Sequence, residues 1–192
     1  QALDVAHRLQ AGEYRLRSDM TPDDLLSMLA SGETEQYSLA VIEGQTFREL
    51  LATVRANEVI ATTLQTDDPT EIMSRLGYAG EHPEGRFLPD TYHFPRGTTD
   101  IEFLQRACQA MDRQLAAAWA GREEGLPLKD PYEALILASI VEKETGRADE
   151  RARIAGVFIQ RLRKGMRLQT DPTVIYGLKE FDGNLTRKHL ET

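Results

Sequence analysis

Cysteine is almost missing from this sequence. The one thiol, Cys108, excludes an intramolecular disulfide framework and a cysteine-rich zinc site. Positive charge is in deficit, with 23 Lys and Arg against 31 Asp and Glu and a net charge of −8. Such a balance offers no broad basic footprint for nucleic acid and no electrostatic grip on an anionic membrane surface. Apolar runs are short. The longest near-apolar one, residues 134–141, is broken by Ser139 and falls far below the ~18 residues of a spanning helix. Histidines 7, 82, 93 and 189 are scattered, with no H-E-x-x-H metal pair. The phosphate loop G-x-x-x-x-G-K-[ST], the dinucleotide fingerprint G-x-G-x-x-G and the serine elbow G-x-S-x-G are all absent. Carboxylates are therefore the best candidates for chemistry in this chain. The chain opens at Gln1 without a methionine, which reads as a cut fragment, so the absence of a signal or anchor here says nothing about the parent protein.

What is present is a globular profile: 192 residues, 41% hydrophobic and 28% charged, sized for one large domain or two small ones. Helix starts are legible. Thr21-Pro22, Asp68-Pro69, Asp130-Pro131 and Asp171-Pro172 each set a capping residue before proline. Thr46 with Glu49, and Thr99 with Glu102, have capping-box spacing. The first third reads as a small α+β unit. It has a strand over 13–17, a helix over 22–30 stopped by Gly32, a strand over 37–42 and a helix over 47–57. Residues 58–82 read as polar helix and loop, and a soft domain boundary is placed there, between 1–82 and 83–192. Residues 84–96 are extended, with Tyr92 and Phe94 as core and Glu84, Asp90 and His93 at the surface or in a cleft. From Thr99 the chain turns helical. Leu104, Cys108, Met111, Leu115 and Trp119 form one stripe, making Cys108 a buried, inert thiol. Further helices are expected from Pro131 to Thr145, then one capped by Asp149 with Gly165 as its C′ residue, and a short one opened by Asp171.

The chemistry-bearing segment is PYEALILASIVEKETGR, residues 131–147. Its apolar stretch predicts a buried helix, and Glu142 and Glu144 follow at once, so at least one carboxylate is expected against apolar surface. Desolvation disfavours a charged carboxylate, and a glutamic acid kept protonated can donate to a leaving oxygen, as glycoside cleavage requires. Pairing of both glutamates with Lys143, Arg147 or Arg151 is the plain alternative. Periodicity does not choose between Glu142 and Glu144. A second cluster, residues 161–177, strings Arg167, Gln169, Thr170 and Asp171 along an extended stretch. These groups can hydrogen-bond sugar hydroxyls and acetamido groups, and Tyr176 can stack on a ring. Asp171 also reads as an N-cap, and Arg163, Lys164 and Arg167 as solvated charges.

ALILASIVEKETG (134–146) with VFIQRLRKGMRLQTDPTVIYG (157–177) closely resembles the YceG-like (MltG) family of endolytic murein transglycosylases. EGRFLPDTYHF (84–94), GLPLKD (125–130) and GNLTRKHLET (183–192) are similar to further segments of that family. The resemblance implies an α+β chain. A small LysM-like accessory domain, N-terminally truncated, would occupy 1–82, and a mainly helical, C-terminally truncated lytic-transglycosylase-like domain 83–192. It implies cleavage of the MurNAc-β-1,4-GlcNAc bond within peptidoglycan strands, leaving 1,6-anhydroMurNAc ends. By motif match, the second glutamate of the EKE triplet, Glu144, is the general acid and base. Gln169, Thr170, Asp171, Tyr176 and Glu84 are the expected substrate-binding residues, with no metal and no cofactor. The implied partners are glycan strands and cell-wall synthases. The implied location is the bacterial inner membrane, through a single N-terminal anchor absent from this sequence, with the catalytic domain on the periplasmic side. Two other readings stand beside it: a non-catalytic peptidoglycan-binding scaffold, and an inverting hydrolase pairing Glu144 with Asp171 or Glu84.

Overall fold

The structure, a computed structural model, describes residue 9 and residues 12–178. The segment 183–192, which carries part of the family resemblance, lies outside the described residues. The fold is α+β. Among the described residues it has seven helices and two strands, in the order α1 (Pro22–Ser31), β1 (Tyr37–Val41), α2 (Phe47–Ala56), α3 (Pro69–Leu76), β2 (Asp90–Phe94), α4 (Asp100–Ala120), α5 (Pro131–Glu144), α6 (Ala148–Arg163) and α7 (Asp171–Gly177).

The capping signals were sound where they act locally. Thr21 and Thr46 both complete reciprocal capping boxes, with Asp24 and Glu49. Gly32 and Gly77 end their helices in the left-handed conformation, at φ +71° and +92°, which costs a glycine no Cβ clash. The strand expected over 13–17 does not form. Among the described residues, the segment's backbone bonds are one from the Glu35 N–H to the Glu13 carbonyl at 2.7 Å and a local turn from the Met20 N–H to the Arg17 carbonyl at 3.3 Å, and side chains add the Arg15–Glu35 ion pair. A ladder needs repeated pairing, and among the described residues no second pair between these segments follows.

Two compact units divide between Gln109 and Ala110, inside α4. The sequence boundary at 82/83 falls between β1 and β2. These strands are paired antiparallel, with Tyr37 opposite Phe94 and Leu39 opposite Tyr92, so residues 90–94 build onto the first unit. That unit buries Phe47, Leu50, Leu51 and Val54 of α2 and Tyr92 and Phe94 of β2. Phe103 of α4 meets Phe94 edge-on at 5.6 Å. Helix α3, read from the sequence as polar, buries Ile72, Met73 and Leu76 on one face.

Asp100, fully buried at the start of α4, accepts hydrogen bonds from the N–H groups of Thr63 and Leu64 and from the Thr63 hydroxyl. Burial pushes its carboxyl up. The Thr63 hydroxyl and the backbone N–H groups of Leu64, Thr63 and Ile101 outweigh that and hold it below its ordinary value.

The second unit is helical among the described residues. Its core joins Leu137, Ile140 and Val141 of α5 to Phe158 of α6, with Leu128, Ile154, Ile159 and Leu168 packed against them. Helix α5 packs on α6 and α7. Contrary to the expected full burial, only one face of α5 is covered, and Tyr132 and Ile136 are exposed. The stripe on α4 is likewise buried through Leu104, Cys108 and Met111, whereas Leu115 and Trp119 are half-exposed.

Candidate active site at the end of α5

Helix α5 starts where Asp130 Oδ1 accepts from the Glu133 N–H at 2.9 Å and ends at Glu144. Its last turn therefore carries two carboxylates at the negative end of the helix dipole. Acidic side chains there oppose the dipole, by roughly 0.3–1 kcal/mol each when exposed, so helix stability does not explain their presence.

The two glutamates part company in their partners. Glu142, half-buried, is ion-paired with Arg151 of α6 at 2.9 Å. This is the pairing that the plain reading of the sequence anticipated. Glu144 is exposed and accepts a hydrogen bond from the Thr170 hydroxyl, Oγ1 to Oε2, at 2.6 Å. That length is typical of a hydroxyl donating to a carboxylate, about 2.5–2.7 Å. Burial of one carboxylate against apolar surface was expected and is not found for Glu144. The helix ends at that residue, and the chain turns away at Thr145, whose N–H still bonds the Val141 carbonyl at 3.2 Å.

Thr170 is the N-cap of α7 and is 4% exposed, yet its side chain makes no capping bond. The hydroxyl is turned toward Glu144, to which it donates. Asp171, read from the sequence as the cap, stands one residue further on as the first residue of the helix, exposed. Gln169 is exposed and holds φ +52°, the only positive φ outside glycine among the described residues. Its Oε1 accepts from Arg161 Nη1 at 3.4 Å. Tyr176 is exposed near the far end of α7. The structure thus gathers Glu144, Gln169, Thr170 and Asp171 where the end of α5 meets the start of α7.

Glu84 belongs to the first unit, where its carboxylate accepts from the Phe47 N–H at 3.0 Å at the start of α2. Asp90 and His93 are exposed on β2. Among the described residues no cluster of three His, Cys, Asp or Glu side chains could hold a metal ion, and no helix is long and apolar enough to cross a membrane.

The model of the YceG-like family matches residues 1–192. The chain belongs to the YceG-like family. It is 27% identical over 203 residues to the endolytic murein transglycosylase of Bacillus subtilis strain 168, covering 97% of this chain and 56% of that protein. It is 27% identical over 207 residues to the endolytic murein transglycosylase of Streptococcus pneumoniae serotype 2, covering 93% of this chain and 37% of that protein. The chain thus spans between about a third and rather more than half of these relatives. The crystal structure of a YceG-like protein from Listeria monocytogenes superposes with a TM-score of 0.63 at 28% identity, over 100% of this chain and 68% of that one.

Sequence reasoning missed Arg161. It reads as one more cation in RLRKG, but its guanidinium reaches the carbonyl of Leu168 at 2.7 Å and that of Arg167 at 3.2 Å. No local signal marks it out from Arg163 or Arg167.

Proposed function

We propose that this chain acts on peptidoglycan as an endolytic lytic transglycosylase, with Glu144 as the single acid and base. The observation that carries the reading is an exposed carboxyl at the end of α5, one oxygen fixed by a buried hydroxyl. The name shared by its relatives supports it.

In this mechanism Glu144, as the acid, protonates the oxygen that links C1 of MurNAc to GlcNAc. The C1–O bond breaks, and GlcNAc leaves with a free 4-hydroxyl. The carboxylate then takes the proton from the 6-hydroxyl of the same MurNAc. O6 closes on C1, and the 1,6-anhydro ring forms. The proton from O6 restores the acid form of Glu144, the one it gave up stays on the GlcNAc 4-hydroxyl, and no water enters the product. Thr170 keeps Oε2 in place through both proton transfers. A saccharide seated over Glu144 displaces water from the carboxyl and keeps bulk solvent from the reacting ring. The nucleophile is tethered to the reacting ring, which removes much of the entropic cost of bringing it in. A second carboxylate to activate water is not required.

Gln169, Asp171 and Tyr176 are proposed to contact the glycan, the first two by hydrogen bonds and Tyr176 by stacking. Glu84, engaged with α2, is proposed only as an outlying contact. The antiparallel pair β1 and β2, bracketing α2 and α3, supports reading the first unit as the LysM-like accessory domain. Anchoring in the inner membrane with this region on the periplasmic side, and association with cell-wall synthases, complete the proposal.

Digestion of purified sacculi by the intact protein, with Glu144→Gln alongside and products read by mass spectrometry, tests the reading. Anhydro-ended fragments from the unmutated protein alone support it. Products heavier by one water mean hydrolysis. Anhydro fragments from both proteins move the acid elsewhere. Binding to sacculi without products from either protein favours the scaffold.

A further inference from the structure

The segment between α6 and α7 places Thr170 against Glu144, and one side chain holds most of it. Arg161 stands in the last turn of α6. Its own carbonyl accepts from the Met166 N–H at 2.9 Å, where the chain leaves the helix. Its Nη1 donates to the Leu168 carbonyl at 2.7 Å and to the Arg167 carbonyl at 3.2 Å, with Gln169 Oε1 at 3.4 Å. One residue therefore grips the segment at both ends.

The grip matters because the backbone beside it is strained. Gln169 is held at φ +52°, a left-handed conformation that strains an L-residue and persists only where its surroundings enforce it. On one side of Gln169, Leu168 packs against the core of the second unit. On the other, Thr170 is buried and gives its hydroxyl to Glu144. Without Arg161, the carbonyls of residues 167 and 168 lose their donor, and the left-handed turn at Gln169 is free to relax. A relaxed turn moves the Thr170 hydroxyl off Oε2.

We propose that Arg161 is a positioning residue for the site. It sets the Thr170–Glu144 hydrogen bond through residues 167–169 and does not itself touch the reacting atoms. The proposal deepens the transglycosylase reading and rests on it for its kinetic consequences. Arg161 also lines an open groove of about 450 Å³ with Arg153, Val157, Lys164 and Met166. A cation that only binds substrate there would reveal itself in KM, whereas a positioning residue acts on kcat.

The test compares Arg161→Gln, Arg161→Lys, Thr170→Val and the double variant Arg161→Gln/Thr170→Val in the intact protein, on soluble uncrosslinked glycan strands. Arg161→Lys keeps the charge but not the planar fork, and it guards against loss of folding in the glutamine variant. The expected result is a fall in kcat on the order of tenfold for each Arg161 variant, with KM within about twofold. In the Thr170→Val background the Arg161 substitution costs less than about twofold more, because the link is already cut. Equal losses in both backgrounds, or a loss confined to KM, overturn the proposal.

The second measurement needs no turnover: the 13C resonance of the Glu144 carboxyl. Arg161→Gln shifts it in the same direction as Thr170→Val if Arg161 holds the hydrogen bond. A resonance that moves in Thr170→Val and stays in place in both Arg161 variants overturns it. If the unmutated protein yields no anhydro ends, the transglycosylase reading fails, and the carboxyl resonance still decides whether Arg161 sets the contact.

Discussion

Thr170 Oγ1 lies 2.6 Å from Glu144 Oε2, joining the start of α7 to the end of α5 across 26 residues of chain. The residue that caps α7 by position withholds its side chain from the cap and gives it to a carboxylate. A capping hydroxyl is worth ~1 kcal/mol to a helix, so the arrangement forgoes local stability for a fixed carboxyl oxygen. In the proposed reaction that oxygen must be in place for two successive proton transfers.

Glu144→Gln is expected to lower anhydro-product formation by at least ~100-fold, the lower end of what a positioned acid and base contributes. Binding to sacculi, followed by co-sedimentation, should stay within about threefold of the unmutated protein. Parallel loss of binding would mean that Glu144 holds substrate rather than transferring protons.

Glu142→Gln separates the two carboxylates of the last turn. It removes the ion pair with Arg151, which is partly exposed on both sides and worth less than about 1 kcal/mol. Turnover should stay near that of the unmutated protein, with a thermal midpoint a few degrees lower at most. A collapse of turnover with the fold intact would transfer the catalytic assignment to Glu142.

Thr170→Val and Thr46→Val form a contrasting pair. Thr46 accepts from the Glu49 N–H in a true capping box, so its loss should cost ~1 kcal/mol of stability. Thr170 makes no capping bond, so its replacement by an isosteric valine should cost little stability and about tenfold in turnover. Urea titration and product quantification on the same samples check both halves. The idea fails if Thr170→Val destabilises as much as Thr46→Val.

Gln169→Gly tests the left-handed turn. Glycine adopts φ +52° without a Cβ clash, so the variant should be as stable as the parent or more so. The glutamine amide is lost, and glycan affinity should fall several-fold if that amide binds sugar. Unchanged affinity in a direct binding assay would remove Gln169 from the substrate contacts.

Asp100 carries a stability prediction with a definite sign. Its folded carboxyl is held below the ordinary value of 3.8. The contribution is therefore fully present above an unfolded value of ~3.9 and is lost as pH falls through the lower folded value. Asp100→Asn should cost about 2–3 kcal/mol at neutral pH, since a buried carboxylate with several N–H donors is replaced by an amide. The deficit should shrink below pH ~4 as the unmutated protein loses its advantage. A deficit that stays constant with pH would point to packing alone.

The sequence by itself determined what depends on neighbours a few residues apart. Capping boxes at Thr21 and Thr46 and the glycine stop at Gly32 pair residues within one turn. Their geometry is complete before any tertiary contact forms. The α+β class and the segments that resemble the YceG-like family were legible for the same reason, in unbroken runs of residues. Tertiary structure decided what depends on residues brought from afar. Periodicity left Glu142 and Glu144 equivalent, and only the packing of α5 on α6 and α7 gave the first to Arg151 and the second to Thr170. It made Thr170 rather than Asp171 the N-cap of α7, and it turned the Thr170 hydroxyl toward Glu144 of α5 rather than toward the N–H groups of its own helix. It left one face of α5 uncovered where an apolar run promised burial, because a run records hydrophobicity all round a helix and not how many neighbours arrive to cover it.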